Sequence, residues 1–182
     1  MKVDIYNTNN KYNIIYADPP WHYRTWRDGN GTANKHYPTM KIQEIVAMKD
    51  TIQNISEKDC VLFLWVTFPC LLEGIKTIQE WGFKYKTCGF TWVKRNKVSD
   101  TWFFGLGHWT RANAEICLIA TRGHMKRISN KVSQIVDTHI EEHSKKPAIV
   151  RDKIVELIGD LPRIELFARQ TAEGWDCWGN EI

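Results

Sequence analysis

The chain contains no apolar run long enough to span a membrane, no Cys-x-x-Cys pair, no Gly-x-Gly-x-x-Gly, no internal repeat and no low-complexity linker. The first absence excludes a membrane-spanning helix. The second speaks against a redox dithiol or a zinc site, and no metal is expected. The third speaks against the standard dinucleotide fingerprint. The opening residues, MKVDIYNTNN, carry no apolar signal core, so the expected location is the cytoplasm. Five cysteines are scattered, several in apolar runs such as CVLFLWV, and are expected as reduced, packed thiols. A net charge of +4 neither demands nor forbids a nucleic-acid partner, so the placement of the charges must decide.

What is present is ordinary in bulk and unusual in one respect. With 182 residues, 43% hydrophobic and 25% charged, the chain suits one globular domain, taken as residues 1–182. Nine tryptophans are more than a core of this size calls for. Those in glycine-rich or charged segments are candidates for stacking on a flat ligand.

Strand-like runs lie at 13–17, 60–66, 86–94, 114–121, 134–138, 163–168 and 175–181. Most are continuously apolar rather than alternating, which predicts strands covered on both faces. Three helices fit between them. Thr39 is placed to cap one carrying Ile42, Ile45 and Val46. Pro69 can open a second with Leu71, Ile75 and Ile78, ending before Gly82. Pro147 can open a third with Val150, Ile154, Leu157 and Ile158, stopped by Gly159. Interleaved strands and helices predict an α/β domain built on a mostly parallel sheet flanked by helices. Two long polar segments, 22–38 and 95–113, resist regular structure. Long loops at the carboxyl ends of parallel strands are where such sheets bind ligands.

One such end is NIIYADPPW, where the buried run Asn13–Ala17 stops at Asp18-Pro19-Pro20-Trp21. A stiff turn would use the same residues. A chemical reading uses each of them. The exocyclic amine of adenine is a poor nucleophile because its lone pair is delocalised into the ring. Two acceptors, one per N–H, can pull the nitrogen toward tetrahedral geometry. The Asp18 carboxylate is one and the Pro19 carbonyl the other, aimed by two prolines of fixed φ that offer no competing donor. Trp21 offers a stacking face, and the carboxylate stabilises the cationic amine as a methyl group arrives. This chemistry requires open space beside Asp18.

ADPPW resembles the signature of the MT-A70 family, methyltransferases that use S-adenosyl-L-methionine and act on the N6 amine of adenine. The resemblance continues in order through YPTM (37–40), LFLWVT (62–67), WGFKY (81–85), WVK (92–94), and GHW with Glu115. HSKKP (143–147), IELFAR (164–169) and WGNE (178–181) complete it, covering nearly the whole chain. It implies a Rossmann-like methyltransferase fold with permuted motif order, the catalytic segment preceding the main cofactor segment. It assigns Asp18, Glu165, Leu166, Phe167 and Arg169 to the cofactor, Lys146 to its carboxylate, and Asn180 and Glu181 to its ribose hydroxyls. Where some relatives carry His-Asn after the arginine, this chain has Gln170-Thr171-Ala172-Glu173.

For the target base the candidates are Trp21, Tyr37, Trp65 and Trp92, although LFLWV and FTWVK serve equally well as core strands. Arg24, Arg27, Lys94, Arg95, Lys97 and Arg111, interleaved with Trp102, Phe103, Phe104 and Trp109, suit phosphate contact and base stacking. The same aromatics suit a homodimer contact. The Lys-, Ile- and Asn-rich composition looks like that of a bacterial or phage protein, so DNA is the expected polymer. RNA, or a catalytically silent nucleic-acid-binding subunit, are the alternatives.

Overall fold

The computed structural model describes residues 1–22, 39–107, 109–142 and 145–182. The elements are β1 (Tyr12–Ala17), α1 (Ile42–Ala47), α2 (Lys49–Ile55), β2 (Ser56–Val66), α3 (Leu71–Glu80), β3 (Lys84–Arg95), β4 (Ala114–Arg122), β5 (Ile135–His139), α4 (Ile149–Ile158), β6 (Arg163–Leu166) and β7 (Asp176–Trp178). All seven strands form one sheet in the order β5-β3-β4-β2-β1-β6-β7. Only β4 runs against the others; the remaining pairings are parallel. This is the mostly parallel, Rossmann-like α/β arrangement expected.

The continuous apolar runs follow from two cores. Along β1, Ile15 and Ala17 face one layer while Ile14 and Tyr16 face the other. Along β2, Leu62, Leu64 and Val66 join the first layer, and Val61, Phe63 and Trp65 the second. The first layer is closed by Ile45 of α1, Ile52 and Ile55 of α2 and Ile78 of α3. The second is closed by Val150, Ile154 and Ile158 of α4. A strand sandwiched in this way has no wet face, so the period-two alternation disappears.

The helix boundaries differ from expectation in detail. Thr39 does not cap α1: its hydroxyl lies 3.1 Å from His22 Nδ1, and the Lys41 N–H donates to Glu44 at 2.6 Å instead. Pro69 sits in a single 3-10 turn, Phe68–Cys70, that precedes α3. The separate helix α2 was not expected. Its seven residues bury Ile52 and Ile55, a short spacing that the neighbouring polar residues obscure. Strand β6 stops at Leu166 because Phe167 adopts φ +60°, a conformation incompatible with extension.

The five cysteines are free thiols, four of them buried. Among the described residues no helix is long and apolar enough to cross a membrane. No group of three metal-ligating side chains occurs among them either.

Candidate active site

Because β1 lies between β2 and β6, its last residue, Ala17, is flanked in register by Leu64 and Leu166. Asp18 therefore leaves the sheet at the carboxyl edge of a central strand, where the helix-covered layers end. Its N–H donates to the Leu166 carbonyl at 3.4 Å. The reversed β4 starts at this same edge and delivers Glu115, opposite Trp92 of β3. The segment entering α4 delivers Lys146.

These placements assemble a chain of alternating charge. Lys146 Nζ donates to Asp18 Oδ2 at 2.7 Å and lies 3.2 Å from Glu115 Oε2. Lys94 Nζ binds the other oxygen of Glu115. The two carboxylates and two ammoniums cancel formally. Lys146, Glu115 and Lys94 are nearly buried, while the Asp18 side chain keeps 26% of its surface. Aromatic rings form the floor: Lys146 Nζ is 5.6 Å from the Trp65 ring centroid, and Lys94 Nζ is 4.7 Å from that of Trp92.

Burial pushes the Asp18 carboxyl above its ordinary range, and the Lys146 ammonium works against that rise. Burial would likewise raise Glu115, but the ammoniums of Lys146 and Lys94 outweigh it and hold this carboxyl low. Burial alone would lower Lys146; the carboxylates of Asp18 and Glu115 reverse that and raise it. Lys146 is thus held as a cation beside the Asp18 carboxyl.

The Asp-Pro-Pro-Trp loop is stiff and internally bonded. The Pro19 carbonyl accepts the Trp21 N–H at 2.8 Å, and the Pro20 carbonyl accepts the Met40 N–H at 2.8 Å. Trp21 is 6% exposed and donates its indole N–H to the Trp65 carbonyl at 2.9 Å. It anchors the loop to β2 and offers no open face. Trp65 and Trp92 correct the stacking expectation in the same way. Both are buried in the second core layer, packed edge to face at 6.4 Å, with Trp65 Nε1 donating to the Tyr16 hydroxyl at 2.6 Å. Tyr37 and Arg24 lie outside the described residues. Arg111 is exposed in the β3–β4 segment.

The expected cofactor residues divide into two groups. Glu165 points to the α4 side of the sheet, between Ile164 and Leu166 on the opposite face. There it binds Arg151 through both oxygens, at 2.6 and 3.0 Å. Both of its oxygens serve that ion pair here, and Leu166 is fully buried. The second group lines the open edge. Phe167 packs edge-on against Trp178 at 5.3 Å. Arg169 Nε lies 3.5 Å from Glu181 Oε1, a loose and partly exposed contact, and Asn180 is exposed beside it. The chain after β7 presses on the chain after β6. A Cβ on Gly179 would sit 2.0 Å from the Ala168 carbonyl oxygen, so only glycine fits. Lys146, expected at the cofactor carboxylate, bridges Asp18 and Glu115.

The ion-pair roles of three residues were not expected from the sequence. Glu115 stood in a matched motif without one, and Lys94 was grouped with the loop cations. Arg151 left one readable signal: a single charged residue, Glu165, inside an apolar strand needs a buried partner.

A cavity of about 590 Å³ opens at the opposite edge of the sheet, lined by Lys11, Tyr12, Arg163, Trp175 and Asp176 among others. Its polar groups are largely paired, as in Tyr12 with Asp176 at 2.8 Å and Arg163 with Asp160. The chemistry-bearing cluster is at the Asp18 edge.

Comparison with known proteins identifies the family. Residues 12–181 match the family model described as MT-A70. A Type II methyltransferase, M.MunI, from Mycoplasma sp is 35% identical over 191 residues, covering 94% of this chain and 78% of that protein. An N(6)-adenosine-methyltransferase MT-A70-like protein of Arabidopsis thaliana is 25% identical, covering 100% of this chain but 25% of its own length. The N(6)-adenine-specific methyltransferase METTL4 of Mus musculus is 26% identical, covering 97% of this chain and 38% of itself. The chain therefore spans most of the Mycoplasma protein and well under half of the other two.

Proposed function

The chain belongs to the MT-A70 family, and on that premise we propose that it transfers a methyl group from S-adenosyl-L-methionine to the N6 amine of adenine in DNA. The observation that carries this reading is Asp18 at the carboxyl edge of a central strand, partly exposed and held beside a fixed ammonium. A carboxylate has about four lone-pair sites, so Lys146 on Oδ2 leaves Oδ1 for one amine N–H. The Pro19 carbonyl, with one lone pair on the Trp21 N–H, keeps a second for the other. Loss of amide-like planarity at the nitrogen frees its lone pair. With the cofactor bound, its sulfonium would supply the methyl group to that lone pair and leave as the thioether, and the surplus proton of the nitrogen would pass to solvent past the partly exposed Asp18. Asp18 stabilises that cation.

The residues of the β6–β7 edge fit the cofactor, which when bound supplies the methyl group. A carboxylate and an amide, Glu181 and Asn180, suit a ribose diol, and Arg169 suits an amino-acid carboxylate. Glu181→Ala is expected to weaken cofactor binding about tenfold, roughly 1.4 kcal/mol. Titration calorimetry measures this, and an unchanged Kd removes the assignment.

DNA is preferred because identity is higher to the bacterial Type II methyltransferase than to the proteins named for adenosine. Those names make RNA the second reading. Labelled cofactor incubated with single- and double-stranded DNA and RNA, followed by mass identification of the methylated nucleoside, decides between them. N6-methyldeoxyadenosine is expected; methyl transfer to no nucleoside, or to another atom, overturns the reading.

The charge cluster adds a pH signature. Asp18 must be ionised to accept the amine, so activity falls as pH drops through its raised pKa. Burial raises that pKa and Lys146 restrains the rise. Lys146→Met removes the restraint, so the acid limb of the kcat/KM profile should move to higher pH. A limb that stays in place or moves down shows that Lys146 does not keep Asp18 charged.

A further inference from the structure

The four charges at the Asp18 edge form a chain, and Lys94 stands at its far end. It lies near the end of β3, two residues past Trp92 and so on the same face of the strand. Its backbone is pinned: the N–H donates to the Asn113 carbonyl and the carbonyl accepts the Phe103 N–H, each at 2.9 Å. Its side chain is held as well. The ammonium binds Glu115 and lies 4.7 Å from the Trp92 ring centroid, and 16% of the side chain is exposed.

An ammonium placed in this way is poorly suited to a phosphate, which asks for a donor on a surface that a polymer can reach. Turning outward would also strip a nearly buried Glu115 of one of its two cations. The geometry suits another task. Glu115 gives one oxygen to Lys94 and the other to Lys146 at 3.2 Å, and Lys146 in turn donates to Asp18 at 2.7 Å. A carboxylate gripped at one oxygen has its second oxygen fixed in place. Lys146 is shared between two carboxylates, so whatever holds Glu115 decides how much of Lys146 is left to Asp18.

We propose that Lys94 is a positioning residue for methyl transfer, acting on Asp18 through Glu115 and Lys146, and that it makes no contact with nucleic-acid phosphate. This rests on the adenine-methylating reading above, which is what gives the charge on Asp18 a purpose. The groups that face Asp18 come from every neighbouring element. They are Lys146 ahead of α4, Glu115 and Cys117 of β4, Tyr16 of β1, Glu165 of β6 and Arg169 after it. Burial raises the Asp18 carboxyl, Lys146 and Arg169 oppose the rise, and Glu115 adds to it. Burial would raise Glu115 as well, and Lys146 and Lys94 together hold it low. Lys94 thus acts one step removed.

The test is the acid limb of kcat/KM, with a melting profile taken for each variant. Without Lys94, Glu115 draws Lys146 away from Asp18, whose carboxyl then keeps its proton to higher pH. Lys94→Met should move the limb up by about half a unit to one unit, roughly a three- to tenfold loss at a fixed acid pH. Lys94→Arg keeps the charge and should keep the wild-type limb. Glu115→Gln removes the opposing carboxylate and should move the limb down. Adding Lys94→Met to Glu115→Gln should then change little, because the link is already cut. A limb that Lys94→Met leaves in place, or shifts equally in both backgrounds, overturns the assignment. Should Lys94→Met not fold, a limb that Glu115→Gln leaves in place or moves up overturns it instead. Salt supplies an independent readout. On logarithmic axes, the slope of DNA affinity against salt should be the same for Glu115→Gln and the double variant. A slope smaller by about one in the double variant marks a lost phosphate contact and overturns the proposal. A wild-type protein that methylates no adenine removes the parent reading and this assignment together. An active enzyme whose limb ignores Lys94 loses this assignment alone.

Discussion

Asp18→Ala should lower single-turnover methyl transfer by about two to three orders of magnitude, the cost typical of deleting one preorganised group at a developing charge. Cofactor affinity should change less than turnover, because Asn180 and Glu181 are untouched, although the Arg169 guanidinium is near enough to act on the Asp18 carboxyl. The variant removes an acceptor and also a negative charge, leaving Lys94, Lys146 and Glu115 with a net positive charge where a cationic amine must form. Asp18→Asn tests these effects apart. It keeps the shape and an acceptor oxygen but turns an N–H donor toward the amine and loses the charge, so it should be nearly as inactive as alanine. The fold should tolerate both changes, since Lys146 retains Glu115 at 3.2 Å. Near-normal turnover in Asp18→Ala, with a normal melting profile, would falsify the amine-holding mechanism.

The expected result depends on the Asp18–Lys146 ion pair having a particular meaning. A carboxylate tied to an ammonium is ordinarily a structural feature, and a fully buried one would leave nothing for a substrate. Here Oδ1 accepts no hydrogen bond among the described residues, and about a quarter of the side chain is open. Burial favours the protonated acid, which cannot accept from an amine on both faces. The ammonium opposes that tendency. On the proposed mechanism Lys146 is a positioning residue that keeps Asp18 ionised, and the shift in the acid limb separates this role from one in packing.

The seven strands were legible because seven apolar runs are separated by turn residues. The two-layer burial of Ile14 through Ala17 and of Val61 through Val66 is what makes those runs continuous. The position of Asp18 was legible because a carboxylate and two prolines end a buried run, and that run proves to be a central strand of the sheet. The aromatic residues were misread because an indole in an apolar strand looks the same whether its face is open or covered. Trp65 and Trp92 are covered, and Trp21 spends its N–H on the β2 backbone. The contact of Lys146 with Glu115 was not legible, because Glu115 reaches the same edge only through the reversed direction of β4. No local pattern carries that information. The same holds for Arg151, whose role depends on α4 lying across β6.

Arg151→Met should destabilise the protein by about 3–5 kcal/mol at neutral pH, the usual cost of removing one partner from a buried ion pair. Both side chains are nearly buried, at 13% and 11% exposure, and Arg151 binds Glu165 through two nitrogens. Burial already raises the Glu165 carboxyl, and Arg151 opposes it. Without the arginine that pKa rises further. A carboxyl whose folded pKa exceeds its unfolded one binds more protons when folded, so stability falls with increasing pH between the two values. The penalty of Arg151→Met should therefore be full above the folded pKa and shrink on acidification through it, as read by denaturant melts at several pH values. The double variant Arg151→Met, Glu165→Leu replaces the pair with apolar volume and should recover most of the loss. It also decides between the two roles open to Glu165. If the carboxylate serves only Arg151, the stable double variant binds S-adenosyl-L-methionine normally. If Glu165 instead exchanges Arg151 for the cofactor on binding, the double variant is stable but binds it weakly, an outcome that a merely structural ion pair cannot produce.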